Sequence, residues 1–192
     1  MKYDMILAGV GGQGVLTMAA ILGFAAVDSG LYLKQSEVHG MSQRGGEVQS
    51  HLRLSDRPVF SDLIPTGGAD MLLSMEPMEA LRYLPFLKVD GVIVTERAPF
   101  TNIPNYPDIN RVIETFDQYP HVVLVEGEGI AREIRATRSS NIVLLGAAST
   151  FIPLPLSDLE EAIRQVFGRK GDAVVQQNLA ALRRGRELTE GR

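Results

Sequence analysis

The chain has no cysteine. That absence excludes disulfides, and it excludes a cysteine-ligated iron–sulfur cluster held by this chain itself. It agrees with a reducing compartment, so the cytoplasm is the expected location. Histidine is scarce: His39, His51 and His121 are the only three. None has the spacing of a metal-binding helix, so no metal site is expected. Positive charge does not dominate either. Nineteen Lys and Arg stand against 23 Asp and Glu, a net charge of −4, whereas nucleic-acid binding favours a basic patch or stripe. The small basic group Arg183, Arg184 and Arg186 reads as a solvated helix end, where cations suit the dipole. No apolar run reaches the ~18 residues that a membrane span needs. The nearest, residues 142–155, is broken by Pro153 and Pro155. Met1-Lys2-Tyr3-Asp4 leads directly into an apolar segment, so no signal peptide is expected. There is no nucleophile elbow and no Ser/His/Asp arrangement.

What is present reads as alternating strands and helices. At 192 residues, one domain over 1–192 is expected, large enough to bury a core without staples. Residues 3–9 form an apolar strand, and the consecutive Met5, Ile6, Leu7 and Ala8 suit a sheet covered on both faces. A glycine cluster follows, then a helix over 15–28 that Gly30 stops. Leu31-Tyr32-Leu33 opens a second strand, so residues 3–34 read as a βαβ unit with parallel pairing. Residues 36–46 read as a loop. From 48 to 54 the chain alternates, with Val48, Ser50, Leu52 and Leu54 on one side and Gln49, His51 and Arg53 on a wet or partner-facing side.

Further strands are expected at 69–75, 92–94 and 122–125. A helix opens at Glu76-Pro77 and runs to about Leu87. Residues 98–107 carry three prolines and read as an ordered surface loop. Helices follow at about 108–117, 127–137 and 141–150. Ser157 reads as the N-cap of a capping-box helix to Phe167, and the last helix runs from 172 to 188. The expected fold is α/β. It is a three-layer, mostly parallel, Rossmann-like sheet with at least one antiparallel strand and C-terminal helices over about 157–188.

Two segments carry chemistry. Gly9, Gly11 and Gly14, with Gly12 and Gln13 between them, have the dinucleotide spacing between a strand and a helix. Such glycines allow a tight turn, close approach of backbone to an anion, and close helix–strand packing. The helix N-terminus adds free N–H groups. A nicotinamide site also needs an acid at the end of the second strand. The second strand reads as ending at Lys34-Gln35-Ser36, with Glu37 beyond it. Three readings stay open: a dinucleotide site, a loop for another phosphate-bearing ligand, and a structural tight turn.

The second segment runs Glu37-Val38-His39-Gly40-Met41-Ser42-Gln43-Arg44-Gly45-Gly46. It crowds a carboxylate, an imidazole, a hydroxyl, an amide and a guanidinium together at the end of a strand. Arg44 could clamp a carboxylate or phosphate with two parallel hydrogen bonds, and His39 could move a proton near neutral pH. The plainer reading is a local Glu37–Arg44 pair beside a loop histidine.

Together the two segments closely resemble the gamma subunit of the pyruvate/2-oxoacid:ferredoxin oxidoreductases. Residues 74–83, 102–107 and 178–185 resemble the small (beta) subunit of the indolepyruvate branch of that family, and the resemblance spans nearly the whole chain. It implies a subunit active only in a complex, which oxidatively decarboxylates an indolepyruvate-like or other arylpyruvate 2-oxoacid to an acyl-CoA. It implies a hetero-oligomer with a large subunit bearing thiamine diphosphate, Mg and iron–sulfur clusters, with ferredoxin as acceptor. This chain, which lacks a Gly-Asp-Gly motif, would bind none of these cofactors alone. The resemblance further implies that residues 11–14 face a coenzyme A phosphate, and that Gln43 and Arg44 reach a shared cleft. Rival expectations are a stand-alone NAD-dependent Rossmann dehydrogenase and a purely structural assembly subunit.

Overall fold

The structure, a computed structural model, describes residues 1–40, 45–101 and 103–191. Its strands are β1 (Lys2–Val10), β2 (Tyr32–His39), β3 (Glu47–Ser55), β4 (Ala69–Ser74), β5 (Leu87–Glu96) and β6 (Val122–Val125). Helix α1 (Val15–Asp28) joins β1 to β2, α2 (Pro77–Arg82) follows β4, and α3 (Ile109–Glu114) follows β5. Four helices close the chain: α4 (Gly127–Glu133), α5 (Ser140–Ala148), α6 (Leu156–Phe167) and α7 (Asp172–Arg186).

The sheet order is β2-β3-β1-β4-β5-β6. β1, β4, β5 and β6 pair in parallel, and β3 runs antiparallel to both of its neighbours. The fold is therefore the expected mostly parallel three-layer sheet with one antiparallel strand. Met5 and Leu7 pack on one face with α1, α5, α6 and α7. Ile6 and Ala8 pack on the other with Ala80, Tyr83 and Phe116. A strand covered on both faces needs an unbroken apolar run, which is why β1 reads as it does.

Helix α5 is buried along almost its whole length, and α7 lies against it. Gly146 and Gly185 permit the approach. A Cβ on Gly185 would stand 1.9 Å from Val143 O, and one on Gly146 would stand 2.1 Å from Leu182 O.

Several expectations are corrected. β2 does not pair with β1, because β3 lies between them. β3 earns that place with Arg53, whose guanidinium forms a buried two-point bond with Asp4 of β1 (3.0 and 3.1 Å). Residues 36–39 are strand, not loop. Ser36, Glu37, Val38 and His39 pair with His51, Ser50, Gln49 and Val48, and a backbone ladder tolerates polar side chains on an edge strand. The side of β3 read as wet is partly covered. Arg53 donates to Ser61 O and Leu63 O, and Ile64 N donates to His51 Nδ1 at 3.0 Å.

The helix at 77 ends at Arg82 rather than Leu87. Pro85 lacks the N–H and crowds a continuing helix, and Leu87 already opens β5. Ser157 is not an N-cap. α6 starts at Leu156 with Pro155 before it, and the Ser157 hydroxyl donates to Asp158.

Candidate functional site

The parallel strands β1, β4, β5 and β6 end at one rim, the place where open α/β sheets hold ligands. A cleft of about 560 Å³ opens there. The glycine turn after β1 supplies Gly11, Gly12 and Gln13. The end of β4 supplies Met75, and the end of β5 supplies Glu96 and residues 98–100. Arg138, Ser140 and Asn141 come from the entry to α5.

Gly14 caps α1 with φ 87, a left-handed conformation that a glycine takes without a Cβ penalty. Asn141 Nδ2 donates to Gly14 O at 3.2 Å. A Cβ on Gly14 would lie 2.5 Å from that same nitrogen, so the contact needs glycine twice over. Gln13 braces the turn from inside. Its Oε1 accepts from Val10 N at 2.7 Å and its Nε2 donates to Met75 O at 3.2 Å. The N–H groups of Gly12, Gly14, Val15 and Leu16 have no partner among the described residues. They lie at the positive end of a 14-residue helix, which suits an anion.

The glycine turn also touches the second segment. Gly11 N donates to Gly46 O at 2.8 Å, and Gly45 N to Gly11 O at 3.4 Å. Glu37 is exposed on edge strand β2 and accepts from Gln35 Nε2 at 3.1 Å. His39 pairs through its backbone with Val48. Ser42, Gln43 and Arg44 lie outside the described residues.

The acid requirement for a nicotinamide site also changes. Because β2 extends to His39, Glu37 stands inside the second strand rather than past it. Yet β3 separates that strand from β1. Strands are spaced by ~4.8 Å, so Glu37 is displaced by one full strand from where a ribose would be held beside the glycine turn.

Three lining residues had no motif to announce them. Glu96, 4% exposed, accepts N–H bonds from Arg97 (3.0 Å), Ala98 (3.2 Å) and Gly127 (3.0 Å). Burial pushes its pKa up, the three N–H bonds hold it back, and the Glu128 charge adds to the rise. The side chain thereby ties the loop after β5 to the start of α4. Arg138 is exposed at the cleft and makes no ion pair with a described residue. Asn141 contacts a glycine 127 residues away, which no local pattern reveals. Its only signal is a polar residue heading an otherwise apolar helix.

The site thus combines free N–H donors and a cation with an apolar wall of Met75, Ala98, Pro99 and Phe100. It can bind and orient an anionic ligand with an apolar part. Among the described residues its lining contains no histidine, cysteine or lysine.

The model of the pyruvate ferredoxin/flavodoxin oxidoreductase family matches residues 4–188. The chain belongs to this oxidoreductase family. Among its relatives, the indolepyruvate oxidoreductase subunit IorB of Archaeoglobus fulgidus is 35% identical, over 96% of this chain and 94% of the relative. The protein of the same name from Thermococcus kodakarensis is 37% identical, over 86% and 85%. Among solved structures, the keto/oxoacid ferredoxin oxidoreductase gamma subunit of Geobacter sulfurreducens aligns with a TM-score of 0.70 at 25% identity, over 99% of each chain. The 2-oxoglutarate:ferredoxin oxidoreductase of Magnetococcus marinus shares the fold, with a TM-score of 0.79 at 21% identity. There, all of this chain corresponds to only 31% of the longer polypeptide.

Proposed function

We propose that this chain, as one domain over 1–192, is the small subunit of a cytoplasmic 2-oxoacid:ferredoxin oxidoreductase that acts on indolepyruvate or a similar arylpyruvate. The overall reaction is oxidative decarboxylation to an acyl-CoA, with electrons passing to ferredoxin. The observation that supports this role is the glycine turn, whose Gly12, Gly14, Val15 and Leu16 N–H groups have no partner among the described residues and whose Gly12 lines the open cleft. Support for the substrate comes from relatives named as indolepyruvate oxidoreductase subunits.

Thiamine diphosphate, Mg and iron–sulfur clusters belong, in this proposal, to a large partner subunit. This chain offers neither the cysteines of an iron–sulfur cluster nor, among its described residues, a group of three His, Cys, Asp or Glu that could hold a metal. Its own work is positional. The N–H groups of Gly12, Gly14, Val15 and Leu16 hold a coenzyme A phosphate, Arg138 adds charge, and Met75, Ala98, Pro99 and Phe100 form an apolar wall. Glu37, His39, Ser42, Gln43 and Arg44 belong, in the same proposal, to the part of the active site that is shared with the partner.

The test is reconstitution. Purified alone, the chain turns over no arylpyruvate; mixed with the large subunit, coenzyme A and ferredoxin, it restores turnover. Appreciable turnover by the chain alone would refute the proposal. Arg138→Ala separates a site contributor from a scaffold. A contributor keeps assembly and raises the KM for coenzyme A, whereas a scaffold changes neither.

A further inference from the structure

Two walls of the cleft share one mooring post at the end of β4. Ser74 is fully buried. Its hydroxyl donates to Glu76 O at 2.7 Å and accepts from Glu76 N at 3.2 Å, which fixes the backbone as it leaves the strand. Met75 N donates to Ala8 O at 2.9 Å, and Met75 O takes the amide of Gln13. The glycine turn is thus tied to one side of this post.

Glu76 forms the other side. Its side chain is buried, at 2% exposure, and each carboxylate oxygen has its own task. Oε2 accepts from Glu79 N at 2.8 Å and caps α2. Oε1 turns toward the loop after β5, where it accepts from Phe100 N at 3.4 Å and from the Tyr106 hydroxyl. Residues 98–100 of that loop line the cleft. A buried carboxylate needs donors to offset its lost hydration, and here two of its three come from the loop.

The geometry points to Glu76 as a positioning residue that, through Phe100 N and Tyr106, fixes residues 98–100 so that Pro99 and Phe100 form the apolar wall of the ligand cleft. The inference rests on the coenzyme A reading of the cleft only for its kinetic arm.

Tyr106→Phe is the direct test, because it removes one hydroxyl and leaves the α2 cap in place. Amide exchange of the full chain alone reads the loop without reference to any reaction. A lost hydrogen bond to a charged group should speed exchange around Phe100 by about tenfold, with the midpoint of thermal unfolding shifted by only ~2–4 °C. In the complex with the large subunit, the KM for coenzyme A should rise by about fivefold to tenfold while kcat stays within about twofold, since loosened positioning weakens binding more than chemistry. Glu76→Gln, which keeps one acceptor, should fall between wild type and Glu76→Ala in exchange. Unchanged exchange in Tyr106→Phe overturns the proposal. Faster exchange with an unmoved KM upholds the clamp and sinks the coenzyme A reading of the cleft instead. A wild-type complex with no turnover sinks the assigned reaction instead, and exchange still judges the clamp.

Discussion

Replacing Gly185 by alanine tests how closely α7 lies on α5. The added Cβ would meet Val143 O at 1.9 Å, Val143 C at 2.8 Å and Ala147 N at 3.1 Å. All three are backbone atoms, so no side chain can rotate away. To reach an ordinary contact of 3.4 Å, the helices must part locally by about 1.5 Å (3.4 less 1.9). Overpacking typically costs ~1–3 kcal/mol, and a rigid obstruction belongs at the upper end, ~3 kcal/mol. Alanine returns ~1 kcal/mol through its better helix propensity. The net loss is ~2 kcal/mol. At this chain length each 1 kcal/mol moves the melting midpoint by ~2–4 °C, so Gly185→Ala should melt ~4–8 °C below wild type. Differential scanning calorimetry reads this directly. Gly168→Ala is the control, since nothing lies within 4 Å of its Cβ. If Gly185→Ala melts at or above the wild-type temperature, the close crossing of α5 and α7 is wrong.

Two further outcomes are expected. Arg183 Nε donates to Glu160 Oε1 at 2.7 Å across α6 and α7, and this bond lowers the pKa of Glu160. A carboxyl whose folded pKa lies below its unfolded value stabilises the fold above the unfolded value and loses that contribution as pH falls through the folded one. The melting difference between wild type and Glu160→Gln should therefore be largest near neutrality and vanish in acid. Because Arg183 is mostly exposed, it should not exceed ~1 kcal/mol at any pH; a gap that persists or grows in acid contradicts the assigned cause. NADH should leave the melting temperature of the chain unmoved, since β3 stands between Glu37 and the glycine turn. A ligand that binds only the folded state must raise that temperature, so a rise that saturates with NADH would revive the dinucleotide reading.

The strands that proved most legible were those covered on both faces. Met5 to Ala8 and Met71 to Leu73 announce themselves as apolar runs, because burial on two sides leaves no room for alternation. The hairpin from β2 to β3 was harder. Its outer strand carries Lys34, Gln35, Ser36 and Glu37, and an edge strand is held by its backbone ladder, to which side-chain chemistry is a poor guide. The insertion of β3 beside β1 was also hidden. β3 lies on β1 through a backbone ladder and a buried salt bridge between Arg53 and Asp4, 49 residues apart. At the site, the glycine spacing marked the turn itself. It could not reveal that Gln13 braces the turn through Met75, or that Asn141 reaches Gly14. Those pairings exist only once separate crossovers converge on one rim. Glu76 left a fainter trace, a glutamate just ahead of a proline at a strand end, which reads locally as a helix cap and nothing more.

The seating of α7 has a consequence during synthesis. α5 emerges from the ribosome before its cover does, with Ile142, Val143, Leu144 and Leu145 still in need of the surface that Leu179 and Leu182 later provide. The nascent chain must carry that sticky helix until α7 emerges. Completion of the core thus waits for α7, and translation products cut short before it should be drawn to chaperones and proteases rather than persist as shortened, working proteins.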